Sequence, residues 1–462
     1  MINGHKTKQT RKAGIDLTQG AIGTQLFLFA LPFFGSSLIQ QLYNTVDLMF
    51  VGNFLGKEAS AAVGSSSLLV TCLLGFFTGI SVGVGVLTAK ASGARDSVRL
   101  KQVIHTSAAL TILGSLLFLV LGWTLAPTLL RLLNTPEDIL PLALVYIRIY
   151  FLSLPAIVSY NMSAGILRAM GDSRSPMIYQ LAGGLANVAA NALFLCVLQW
   201  GVAGAALATL CSQGIAAVLT VRHLFHLEEQ YRLRVCAIRL HGATSRQIFQ
   251  IGIPAAVQAM IITLSNLLVQ SQINNLGVAS IAAFTAYFKV ETFIYLPIMA
   301  IGQASTNFFG QNLGAGQPER ARKGTRISIA LGVAITVVIS AMILLFCPQF
   351  FRLFTSDPEV IEIGRRIAFV SYPWYFLYVF LEVLSSTIRG AGKALPPMLI
   401  VVANMCGVRL IALLTIMHVS PSAPHVAVIY PVTWICTVLC LAIYYRKGHW
   451  MPCEREHVGA AE

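Results

Sequence analysis

Charge is what this chain of 462 residues has least of. Asp, Glu, Lys and Arg make up 11% of it and apolar residues 56%, where a soluble globular chain carries about 25% charged residues. That deficit excludes an ordinary water-solvated fold. Paired cysteine is also missing. The nine cysteines are an odd number, no two form C-x-x-C, and most sit in apolar runs, so a disulfide framework and a thiolate metal site lack their residues. There is no G-x-x-x-x-G-K-[ST] loop for a nucleotide. There is no D-D-x-x-D run and no pairing of acids, or of Ser with His, of the kind intramembrane enzymes use. An enzyme is therefore not expected. His105, His418 and His425 lie near span ends in no ligand spacing. No cleavable signal is visible: residues 1–20 are polar and basic, and the first apolar run is far longer than a signal core.

What the chain has is length in apolar runs. Mean hydropathy is +0.73. Twelve apolar segments can be counted. They lie at 21–52, 58–88, 103–127, 138–167, 176–198, 203–224, 247–273, 279–309, 327–350, 364–388, 396–417 and 425–445. Pro32, Pro155, Pro254, Pro297 and Pro373 fall mid-segment and offer bends, static or hinge-like. With the amino terminus placed in the cytoplasm, 24 of the 32 Lys and Arg fall on the cytoplasmic side and 5 on the other. Both termini are then cytoplasmic, and the net charge of +14 is spent on membrane orientation, with no nucleic-acid module implied.

The two halves repeat. A shift of 221 residues superposes Gly56 on Gly277, Gly93 on Gly314, Arg99 on Arg320, Pro127 and Arg131 on Pro348 and Arg352, and LRAMGDSRSPM (167–177) on IRGAGKALPPM (388–398). Each half holds six segments, so both enter the membrane from the same side. The expected fold is all-α, twelve transmembrane helices in two six-helix lobes related by a pseudo-two-fold axis along the membrane normal. The lobes are 1–226 and 246–462, with 227–245 as a cytoplasmic linker. Two facing lobes suggest a central cavity with rocking access.

Polar residues inside the spans are the candidate site. Gln40, Tyr43, Asn44 and Asp47 recur at helical spacing on one face. A carboxylate in hydrocarbon costs about 2.5–3.5 kcal/mol on insertion scales. Asp47 is therefore expected to line an aqueous cavity and exchange a small cation. In the second half Gln258, Asn266 and Gln270 share a face. Glu291 aligns with Tyr287 and Tyr295, and Glu382 with Tyr375 and Tyr378. An acid between aromatic faces suits a lipophilic cation. The candidate substrate contacts are Gln40, Tyr43, Gln258, Asn266, Gln270, Glu291, Tyr375, Tyr378 and Glu382. An equally simple reading has Glu291 or Glu382 neutralising Lys289 or Arg409. Arg148, near Tyr146 and Tyr150, reads as a snorkelling or paired side chain.

The segment from Pro32 through LYNTVDLMFVGNFLG, the run GQNLGAGQPERARKG (310–324) and the paired R-x-x-G turns resemble the multidrug and toxic compound extrusion (MATE) family over roughly 17–446. That resemblance implies export of organic cations and drugs against an inward flow of protons or sodium, with a flippase or exporter of lipid-linked or other amphiphilic substrates as the alternative within the same superfamily. It makes Asp47 the coupling acid, Pro32 the hinge of its helix, and Asn187, Asn191 and Thr209 its companions. Family members carry an acid where this chain has Asn191. That departure favours a proton carried by Asp47 alone, although an all-oxygen set also suits sodium. Interhelical hydrogen bonding is the other use of such amides. No cofactor beyond the coupling ion and no other metal is expected. The implied partners are small cationic substrates and membrane lipids, the expected state is a monomer, and the expected location is a bacterial inner membrane.

Overall fold

The computed structural model describes residues 14–419 and 422–451. The basic residues Lys6, Lys8, Arg11, Lys12 and Arg455 counted above lie outside them, as does the side chain of Lys57. Among the described residues twelve helices are long and apolar enough to cross a membrane: α1 (Ile22–Phe54), α2 (Glu58–Gly93), α3 (Ser97–Leu132), α4 (Leu140–Ala169), α5 (Arg174–Val197), α6 (Gly201–Phe225), α7 (Gly242–Leu276), α8 (Val278–Gly314), α9 (Pro318–Leu345), α10 (Pro358–Gly390), α11 (Leu395–Val419) and α12 (Ala423–Lys447). Helix is the form available to such segments because hydrocarbon offers no partner for free N–H and C=O groups. The chain is a multi-pass membrane protein.

Glycines of the repeat close the spans in both halves. Gly56 (φ +78°) and Gly277 (φ +90°) turn the chain between α1 and α2 and between α7 and α8. Gly171 (φ +99°) and Gly392 (φ +86°) are the left-handed residues of two Schellman turns. Asp172 N–H donates to Leu167 O at 2.9 Å, and Lys393 N–H to Ile388 O at 3.2 Å. The R-x-x-G signature is thus a helix stop used twice. The repeat parts company at Pro127 and Pro348. Pro127 lies inside α3, whereas α9 ends at Leu345 and Pro348 sits in a separate short helix, Cys347–Arg352. The expected segment 327–350 therefore splits. Four of the five mid-segment prolines lie within continuous helix, while Pro373 occupies a 3-10 turn, Tyr372–Trp374, that divides α10.

Each half packs on itself. α4 packs on α2, α3 and α6, and α5 on α6 and α1; in the second half α8 packs on α9 and α10, and α10 on α12. Between the halves α2 runs along α7 and α8, and α1 along α8. The α2–α7 seam is close because it is built from small residues. A Cβ on Gly79 would stand 2.3 Å from Ala256 N, and one on Gly83 2.4 Å from Ile248 O. Gly93 and Gly314 seal the end at which α1 begins: their added Cβ atoms would meet Gln311 O at 1.9 Å and Lys90 O at 2.1 Å. Lys90 and Gln311 are themselves related by the offset of 221. Lys90 Nζ donates to Ala391 O, and Gln311 Nε2 to Ala169 O, both at 2.7 Å. Each side chain thus reaches the R-x-x-G turn of the other half.

Candidate functional site

Asp47 faces α5 from α1. Its Oδ1 accepts from Asn191 Nδ2 at 2.8 Å, and the same Nδ2 lies 3.1 Å from Asn187 Oδ1. Both amides are buried and Asp47 is half-buried. No basic group forms an ion pair with Asp47 among the described residues. Asn191 Oδ1 is buried without a hydrogen-bond partner. After an amide flip that oxygen can accept a hydrogen bond from the O–H of a protonated carboxyl, and it can also ligate a cation. Directly after Asn191 the helix widens into a π turn, Ala192–Val197, a distortion that recurs at functional sites. Thr209 bonds the carbonyl of Ala205 on its own helix at 3.3 Å and makes no hydrogen bond to Asp47. Among the described residues no three of His, Cys, Asp and Glu converge on a metal-sized site.

The polar face of α1 divides. Gln40 lines a cavity of about 240 Å³ between the two halves, with Ser36, Asn161, Arg168, Gln180, Gln303 and Asn307 among its walls. Tyr43 turns inward, where its hydroxyl accepts from Gln180 at 3.2 Å and Gln213 at 3.3 Å. Asp47 is not among the residues lining that cavity. This cavity carries the cation Arg168 on its wall and Asp47 stands outside it, because a helix face that runs over two turns meets different neighbours at each.

The second half encloses its own cavity of about 280 Å³. Of the expected contacts it takes Asn266, Glu291, Tyr375 and Tyr378, together with Tyr295, Tyr430, Trp434 and Arg409. Tyr375 OH donates to Glu291 Oε1. Gln258, Gln270 and Glu382 are not part of this cavity. Gln258 is buried with its Oε1 unpartnered, and Gln270 donates to Asn274 at 3.1 Å near the end of α7. Three residues on one face are separated because α7 is long enough to pass several environments.

Glu382 neutralises neither Lys289 nor Arg409. Its Oε1 accepts from Arg389 Nη2 at 3.0 Å and from Ser386 Oγ at 2.9 Å, in a buried pair two turns apart on α10. The 221 offset carries Glu382 back to Asn161 and Arg389 back to Arg168. The first half has the arginine, with an amide in place of the acid. Arg168 instead lies over the Phe33 ring at 4.9 Å, with Nε unpartnered, at the wall of the cavity between the halves. Sequence reasoning missed Arg168 as a site residue. The signal was present in the repeat, once the two halves are compared acid for acid. Arg148 stacks on Trp123 at 5.7 Å, a structural role.

The MatE family model matches the chain twice, over residues 32–193 and 254–414. A Bacillus subtilis (strain 168) protein described as "Probable multidrug resistance protein YpnP" is 31% identical over 382 residues, 82% of this chain and 85% of its own. A Shewanella oneidensis "FAD transporter" is 25% identical over 350 residues, 75% and 77% of the two chains. The fold matches a crystal structure of MATE in the straight conformation with a TM-score of 0.88 at 21% identity, over 94% of this chain and 97% of that one. A family model that matches each half separately, and a relative above 30% identity over most of both chains, decide the assignment: the chain belongs to the MatE family of multidrug and toxic compound extrusion transporters.

Proposed function

We propose that this protein is a secondary antiporter that exports organic cations and related aromatic drugs, and that Asp47 is its coupling acid. The observation that carries the reading is a carboxyl inside the membrane that accepts from an amide and, among the described residues, is paired with no basic group. Ionised, Asp47 accepts from Asn191 Nδ2. Protonated, it donates to Asn191 Oδ1 once that amide turns over, and Asn187 turns with it to keep the pair complementary. Proton uptake thereby repacks α1 against α5. Pro32 lies within α1, and its missing N–H gives that helix a place to bend. Asn187 and Asn191 also offer oxygens to sodium, with Thr209 as a further ligand if α6 approaches. One carboxylate makes that a modest site, so the proton is the coupling ion proposed.

The lobes are residues 1–226 and 246–462, joined by 227–245, with both termini in the cytoplasm of a bacterial cell by the bias of Lys and Arg. The protein acts as a monomer, because each copy contains both lobes. The substrate path includes the cavity between the lobes, at Gln40, and the second-lobe cavity, at Asn266, Glu291, Tyr375 and Tyr378. Tyr43 holds Gln180, a wall residue of the first of these cavities, from behind. Expelling one positive charge against an interior-negative potential costs about 2.3 kcal/mol per 100 mV. Returning one proton cancels that cost, and each pH unit adds about 1.4 kcal/mol.

A second reading, export of an anionic or lipid-linked amphiphile, is favoured by Arg168 in the cavity between the lobes. Proteoliposomes with separated gradients test both. A pH gradient without sodium drives movement of a fluorescent organic cation, and Asp47→Asn abolishes it. Rates near wild type in Asp47→Asn remove Asp47 from coupling, transport only under a sodium gradient replaces the proton, and movement of an anionic lipid analogue alone supports the second reading.

A further inference from the structure

The second-lobe cavity holds a charge that the exchange cycle does not use. Arg409 is 4% exposed and begins the helical turn after a π turn, Ala403–Val408. Its Nη1 donates to Asn266 Oδ1 at 2.8 Å and Ser265 Oγ at 3.3 Å, and its Nη2 lies 2.9 Å from Met405 Sδ. Its Nε has no partner. No carboxylate of the described residues lies within 4.0 Å of it. The carboxylate that lines the same cavity is Glu291. A guanidinium taken out of water is costly unless a carboxylate or phosphate completes it. This fold can supply such a partner, as it does for Arg389 with Glu382 at 3.0 Å. At Arg409 it supplies two neutral oxygens and a thioether, three partners for five N–H donors, and leaves Nε with none.

The walls between the two charges are aromatic. Trp434 stands edge-on to Tyr375 at 4.6 Å and to Tyr378 at 5.7 Å, and the guanidinium lies 5.3 Å from the Tyr430 ring centre. The volume of about 280 Å³ is at the lower limit of ligand cavities, roughly 300–1,000 Å³. It admits one or two fused rings with a short polar arm.

We propose that this cavity binds a compact aromatic zwitterion, with its carboxylate on Arg409, its ammonium on Glu291 and its ring against Trp434 and Tyr378. This rests on the reading of the cavity as a ligand site of an exporter, and it narrows the ligand from a cation to a molecule with both charges. Asn266 holds the guanidinium in place for the carboxylate. Glu291, already bonded by Tyr375, keeps one oxygen for the amine.

Isothermal titration calorimetry on the purified full chain tests this with three forms of one ring. They are 3-(2-naphthyl)alanine, its methyl ester, which lacks the anion, and its N-acetyl derivative, which lacks the cation. Wild type binds the free amino acid at least about tenfold more tightly than either derivative. Arg409→Gln lowers affinity for the amino acid to that of the ester and leaves the ester unchanged, which also shows that the cavity is intact. Glu291→Gln does the same with respect to the N-acetyl form. Three results overturn the proposal: ester and amino acid binding equally to wild type, Arg409→Gln weakening all three ligands alike, or none of the three binding at millimolar concentration. Ester binding that depends on Glu291 and ignores Arg409 overturns this inference while leaving the cation exporter standing.

Discussion

Gly93→Ala adds one methyl group at the seal between the two halves, and the structure fixes what it meets. The new Cβ would sit 1.9 Å from Gln311 O and 2.6 Å from its carbonyl carbon, roughly 1.5 Å short of the 3.4 Å at which ordinary contact begins. The obstacle is backbone on a buried helix, so no rotamer relieves it. α2 and α8 must move apart at that end. Overpacking of this kind costs about 1–3 kcal/mol, and that cost falls on the sealed state alone if the lobes separate here when the protein opens inward. The open population then rises by about 5–150-fold. Asn307→Cys, in a background with the native cysteines replaced, reports it, because Asn307 lines the cavity between the lobes. A membrane-impermeant maleimide applied from the side at which α1 begins labels the introduced thiol faster by that factor in Gly93→Ala. Gly314→Ala, whose Cβ would meet Lys90 O at 2.1 Å, does the same. The double variant gains less than the two combined, because one separation relieves both clashes. Gly64→Ala, whose Cβ meets nothing within 4 Å, has no effect. A labelling rate unchanged within twofold in Gly93→Ala, at an unchanged melting temperature, refutes the reasoning.

Asp47→Asn removes the titrating group and is expected to stop exchange without loss of folded protein, measured as dye efflux against membrane expression. Asn191→Asp restores a second acid beside Asp47 and is expected to make transport sodium-stimulated; transport indifferent to sodium counts against these oxygens as an ion site. Glu382→Gln strands a buried Arg389 and lowers stability by about 3–5 kcal/mol, while Glu382→Gln/Arg389→Leu recovers much of that, both read from detergent melts. A Glu382→Gln protein that melts with wild type would show the pair to be dispensable. Arg409→Gln changes which charge form of an aromatic amino acid is bound, as set out above.

Much of the fold was legible in the sequence. Hydrocarbon demands long helices with internally satisfied backbones, so span count follows from apolar length, and the coincidence of Gly56 with Gly277 and of Gly171 with Gly392 marks turns that need a left-handed residue. The site was legible only in part. Asp47 was conspicuous because an acid stands out in an apolar run, but Asn191, its hydrogen-bond donor, is 144 residues away. Helical spacing put Gln258, Asn266 and Gln270 on one face, and only Asn266 reaches the cavity. Glu382 was weighed against Lys289 and Arg409, while its partner Arg389 lay two turns along the same helix.

Composition and periodicity alone determined that the chain is a duplicated twelve-span membrane protein, because both depend on local chemistry repeated along the chain. Which polar groups meet was decided by tertiary structure. The π turns after Asn191 and before Arg409 shift the hydrogen-bond register of α5 and α11 and so re-aim the residues beside them. Among the described residues packing then left Arg168 and Arg409 without carboxylates and gave one to Arg389. Such choices depend on which helix lies opposite, and spacing along a single chain does not carry that information.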